Sequence, residues 1–112
     1  MEPLLAGDPE RLPALASHAH HIRDAGDAAE AARLMSGVAA DQERVLGADH
    51  PDTLDSRHWH ARFVGDAGDA EEAARLMAQV AADRERVLGE DHPDVLNARN
   101  WHAWFAGQAE SR

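Results

Sequence analysis

Residues 26–50 return at 68–92, displaced by 42 positions, and 20 of the 25 residues are identical. The copies read GDAAEAARLMSGVAADQERVLGADH and GDAEEAARLMAQVAADRERVLGEDH. An overlapping echo starts at the prolines: PDTLDSRHWHARFVGDA from Pro51 becomes PDVLNARNWHAWFAGQA from Pro93. A chain that repeats itself at a fixed period of this length buries the apolar side of each unit against its neighbours, so the sequence predicts a stacked array. With 112 residues there is room for one domain, 1–112. It divides into a tail at 1–7, repeats at 8–49 and 50–91, and a capping helix at 92–108.

Proline and glycine mark where the helices begin and end. Pro9, Pro51 and Pro93 stand 42 residues apart beside acidic residues, and proline fits the first helical position because its missing N–H has no partner there anyway. The spacing predicts α1 over Pro9–Asp24, α3 over Pro51–Asp66 and α5 from Pro93 to about Gln108. Pro13 falls at the end of the first turn of α1, a position that bends or delays a helix. Gly26 and Gly68 close α1 and α3, and Asp27 and Asp69 with Glu30 and Glu72 form capping-box signals for α2 (28–46) and α4 (70–88). His50 and His92, in the turns before Pro51 and Pro93, are expected to cap helices as well. Within α2 and α4, Ala31, Leu34, Met35, Val38 and Val45 and their copies Ala73, Leu76, Met77, Val80 and Val87 form one apolar stripe. The expected fold is all-α, an α-solenoid of antiparallel helical hairpins in the order A1-B1-A2-B2-A3. The lone last helix covers the face of α4 that would otherwise lie open.

Composition removes several functions. A formal charge of −10 disfavours nucleic acid and anionic membrane as partners. No stretch is apolar enough to span a bilayer, and the start MEPLLAGDPER lacks the features of a secretion signal, so a cytoplasmic protein is expected. The absence of cysteine removes disulfides and thiolate metal sites. No phosphate loop, nucleophile elbow or triad motif is present. The expectation is a protein that is not an enzyme and carries no cofactor or catalytic residue.

The eight histidines are the most suggestive residues. His18, His60 and His102 are copies of one another and form a row along the A helices, which reads either as a metal or pH-responsive ladder or as three packing positions. No HExxH-type signature accompanies them, so no metal ligands are assigned. Trp59/Phe63 and Trp101/Phe105 are i, i+4 pairs expected in the core. Trp104 stands apart, because its copies are Arg62 and His20, and an exposed aromatic there reads either as a partner anchor or as cover for the end of a scaffold cut from something longer. Glu30–Arg33, Asp41–Arg44, Glu72–Arg75 and Asp83–Arg86 are spaced to pair along helices.

The run LGADHPDTLDSRHWHARFVGDAGDAEEAARL at 46–76 resembles the tetratricopeptide repeat, in the 42-residue variety of kinesin light chains and many actinobacterial proteins. The resemblance implies small residues where A and B helices meet, at Ala19, Ala61 and Ala103 and at Ala31 and Ala73. It also implies a concave groove that binds a partner peptide or helix. The groove residues would be Ala16, His20 and Arg23 from α1, Asp55, His58, Arg62 and Asp66 from α3, and Asn97, Asn100, Trp104 and Gln108 from α5. Of the paired asparagines that clamp a peptide backbone in the kinesin type, only Asn100 stands here; His58, Trp59 and Trp101 fill the other places. The function expected is protein–protein interaction, with His58 as a pH-sensitive contact and the acidic surface favouring a basic partner. The alternatives are a self-associating homo-oligomer, a sensor segment of a larger signalling NTPase, and a histidine-based metal-binding domain.

Overall fold

The computed structural model describes residues 12–111, so the tail at 1–7 and the expected start of α1 at Pro9 lie outside the described residues. Five helices run in sequence: α1 Leu12–Asp24, α2 Ala28–Leu46, α3 Pro51–Asp66, α4 Ala70–Leu88 and α5 Pro93–Glu110. Each packs chiefly on the next one along the chain, in a slab of 47 × 34 × 17 Å. Among the described residues there is no strand. Pro13 is the second described residue of α1 and leaves the helix unbroken.

The helix ends follow the sequence signals, with one change. Asp27 Oδ1 accepts the Glu30 N–H and Asp69 Oδ1 accepts the Glu72 N–H, each at 3.1 Å. The glutamates do not complete the box: their carboxylates turn outward and take Arg33 and Arg75, each at 2.8 Å. A guanidinium one turn along offers a charge-assisted bond, which outcompetes a return to the cap. His50 and His92 cap α3 and α5, each ring Nδ1 accepting the N–H two residues on, from Asp52 at 3.1 Å and Asp94 at 3.0 Å. Gly26 and Gly68 turn the chain between helices at φ of 104° and 106°, values that a side chain disfavours.

The core consists of two clusters, one per repeat. Leu12, Ala19, Ala31, Met35, Val38 and Phe63 form the first; Ala61, Ala73, Met77, Val80, Ala98 and Phe105 form the second. Phe63 is fully buried and Phe105 nearly so. Each phenylalanine reaches back from its own helix into the preceding hairpin, which is how the repeats interlock. Gly65 makes the second reach feasible, since a Cβ there would lie 2.2 Å from the Phe105 ring. The alanines at the A–B crossings, Ala19 and Ala61, have no exposed surface. Their copy Ala103 is exposed, because no helix follows α5 among the described residues. Leu96 is 47% exposed for the same reason, whereas its copy Leu54 is 2% exposed beneath α4.

Candidate functional site: the A-helix face

On the side of the slab built by α1, α3 and α5, side chains bridge directly from one A helix to the next. His20 of α1 sets its ring edge on Trp59 of α3 at 4.5 Å between centroids, and on Phe63 at 5.1 Å. Arg23, one turn further along α1, lies 5.2 Å over Phe63 and donates to Asp66 of α3 at 3.1 Å. Arg62 is held between two tryptophans, 4.5 Å from the Trp59 ring and 3.9 Å from the Trp101 ring of α5. Burial lowers the Arg62 pKa, yet a guanidinium stays charged at any physiological pH. Each cation–ring contact contributes on the order of 0.5–2 kcal/mol, more as water is excluded. The result is a continuous strip, His20–Trp59–Arg62–Trp101, across three helices.

Trp59 and Trp101 therefore divide their surfaces between the core and this strip; both are only partly buried. Their partners Phe63 and Phe105 take the fully interior positions expected of all four. Trp104 is 56% exposed, on the same stripe of α5 as Asn97, Asn100, Trp101 and Gln108. A cleft of about 320 Å³ opens between α3 and α5, with Asp66, Trp104, Phe105 and Gln108 on its walls. Asn97 and Asn100 are exposed.

His58 is placed differently from its expected position on the groove. Its ring is 5% exposed, with Arg84 of α4 3.5 Å from its Nδ1 and the Trp59 ring at 5.6 Å. The side of α3 that carries His58 faces the following helix, so its copy Asn100, with no following helix described, stays open. Burial first, then the Arg84 and Arg62 charges, lower the His58 pKa to about 4, so its ring is a neutral packing element at neutral pH. Asp55 accepts Arg84 at 2.5 Å and keeps most of its own side chain in solvent. Partial desolvation of the carboxylate beneath Arg84 raises the Asp55 pKa despite the Arg84 charge, with Asp94 and Asp52 pushing the same way, although the rest of the side chain stays open. His18 is exposed and His60 and His102 partly buried; no group of three or more His, Asp or Glu able to hold a metal ion occurs among the described residues.

A second cleft of about 300 Å³ lies between α1 and α3, with Pro13, Ala16, Gln42, Asp52, Asp55 and Trp59 among its lining residues. Gln42 is the residue that sequence reasoning missed. It is 4% exposed, and its Oε1 has no hydrogen-bond partner. The available signal was the repeat itself, since Gln42 and Arg84 are one of five mismatches in the 25-residue match.

Antiparallel hairpins stacked on a 42-residue period, with a side-chain strip along the A helices, define a helical-repeat scaffold. The tetratricopeptide repeat profile matches residues 23–52 and 53–94, and the chain belongs to that family. Among solved structures it is similar to the nearly identical TPR-like repeats of a Podosopora anserina protein assigned to the kinesin light chains, at 30% identity and a TM-score of 0.82. The alignment covers 93% of this chain and 49% of that one, so this chain spans about half its length. A glutamine-to-methionine variant of the same Podosopora anserina protein gives the same identity and TM-score over 92% of this chain and 49% of that one. No curated protein matches. Repeats of this family are generally protein–protein interaction modules and typically non-catalytic. None of the described helices is long and apolar enough to cross a membrane.

Proposed function

We propose that this chain is a non-catalytic interaction module that holds a partner peptide or helix on its A-helix face. One observation carries the reading: Arg62 of α3, fixed between Trp59 and Trp101, joins α3 to α5, and His20 on Trp59 joins α1 to α3, which makes a single pre-ordered surface with Trp104 standing out beside it. Pre-ordering lowers the entropy cost of docking, and an exposed tryptophan is the residue type that most often anchors a partner. His20, Arg23, Asp55, Asn97 and Asn100 supply polar contacts along the strip, and His58 supports it from beneath. Peptides selected from a random display library against the wild-type chain supply the test. Trp104→Ala is expected to weaken them by about tenfold or more, with helical circular dichroism unchanged because Trp104 is exposed. Arg33→Ala, at an exposed position of α2, should leave them unaffected. Loss of binding in the α2 variant but not in Trp104→Ala would place the partner elsewhere.

A second reading is favoured by the contrast between Leu96 at 47% and Leu54 at 2% exposure. The outer side of α5 carries Leu96 where α3 carries Leu54, and in this reading a helix from a second copy of the chain covers it. Sedimentation equilibrium at rising concentration should then show a dimer that Leu96→Asp converts to monomer. A monomer mass at every concentration removes this reading.

A further inference from the structure

The two repeats differ in what α2 and α4 present to the A-helix face at one position, Gln42 against Arg84. In the second repeat Arg84 fills the angle beside α3, donating to Asp55 and lying against the buried His58 ring. In the first repeat the copy of Arg84 is Gln42, and the copies of Asp55 and His58 are Pro13 and Ala16. Three substitutions have removed a guanidinium, a carboxylate and an imidazole from equivalent positions. What remains is the cleft of about 300 Å³ between α1 and α3 with Gln42 among its lining residues, and the Gln42 Oε1 is buried and unpaired.

An unpaired buried amide oxygen costs about 1–3 kcal/mol, which a donor entering from outside would recover. The rest of the lining selects the donor. Asp52 forms no ion pair among the described residues, and Asp55 presents a side chain 64% exposed after bonding Arg84. Trp59 offers ring surface, as it already does to Arg62 at 4.5 Å. Acceptors around an aromatic face, in a chain of formal charge −10, suit a planar cation with several N–H donors. The second repeat places two such groups, Arg84 and Arg62, in the equivalent space; His20 fills the place of Arg62 in the first repeat, and that of Arg84 is left open. We propose that the α1–α3 cleft binds an arginine side chain of the partner, which takes the place that Arg84 holds in the second repeat. This rests on the reading of the A-helix face as the docking surface and names the partner's anchoring chemistry.

The test uses N-acetyl-arginine amide as probe, read by heteronuclear NMR at the Trp59 indole N–H and the Gln42 side-chain amide. Saturable shifts of both signals in the millimolar range are expected. N-acetyl-citrulline amide, which has the shape without the charge, should bind at least about tenfold more weakly. Gln42→Arg should abolish the response by filling the cleft from within. Asp52→Asn, at an exposed position where folding is not at stake, should weaken it. Equal responses to arginine and citrulline, or shifts confined to other residues, would overturn the assignment. Selected peptides that lose affinity in Trp104→Ala but carry no required arginine would sink this inference alone and leave the docking surface standing.

Discussion

Phe63→Ala is expected to lower the unfolding free energy by about 3–5 kcal/mol, the range for truncating a fully buried phenylalanine. A domain of this size has on the order of 5–15 kcal/mol in total, so the variant should sit close to its unfolding midpoint under mild conditions. Phe63 has no exposed surface and joins α3 to the cluster of α1 and α2. In an array whose units contact only their neighbours, losing one such junction is not offset elsewhere. The same ring supports the site: the His20 ring lies 5.1 Å away, the Arg23 guanidinium 5.2 Å and the Trp59 ring 5.9 Å. Peptide binding on the A-helix face should therefore fall together with stability. Urea unfolding followed by circular dichroism measures the effect. Phe63→Leu, which keeps most of the volume, should cost less than about 2 kcal/mol. A loss below about 1 kcal/mol for Phe63→Ala would show that the hairpins do not depend on this junction.

How much of this could be read in advance depended on how local the cause was. Helix limits come from short-range chemistry, and Pro51, Pro93, Asp27, Asp69 and the paired glycines placed the ends of α2, α3 and α4 to the residue. The four i, i+3 ion pairs along α2 and α4 formed for the same reason. The row of equivalent A-helix positions also followed from the period. What the period could not show was how unlike copies fill one place. His58 and Asn100 occupy the same register, yet one is buried under Arg84 and the other exposed, since among the described residues a helix follows α3 but not α5 against that side. Trp59 and Trp101 were expected in the core because i, i+4 aromatic spacing suggests packing. Their division between core and surface depends on Arg62 reaching between two helices, a contact that no single helix encodes. Gln42 was overlooked because its significance comes from what Pro13 and Ala16 lack.

Acidification from pH 7 to pH 5 is expected to cost the wild-type fold about 2 kcal/mol through His58, rising to about 3 kcal/mol once the pH falls well below 4. In the unfolded chain this imidazole titrates at its ordinary value near 6.5, whereas in the fold its pKa is lowered to about 4. Between those values the unfolded state binds the extra proton and the native state does not. The contribution is therefore fully present above pH 6.5 and disappears as the pH drops through the window. Burial among α3 and α4 side chains is the main cause; the Arg84 and Arg62 guanidinium groups add to it, and the Asp94 carboxylate of α5 opposes them. His20 and His60 are lowered as well, each chiefly by burial, and add to the loss in the same direction. His58→Gln separates the contributions, because a neutral amide can still meet Arg84 but has no proton to gain. Its urea midpoint should shift less than wild type between pH 7 and pH 5 by an amount equal to the His58 share. Parallel pH profiles in the two proteins would mean that His58 is solvated as freely as an exposed histidine, and the account of Arg84 closing over it from α4 would fail with that result.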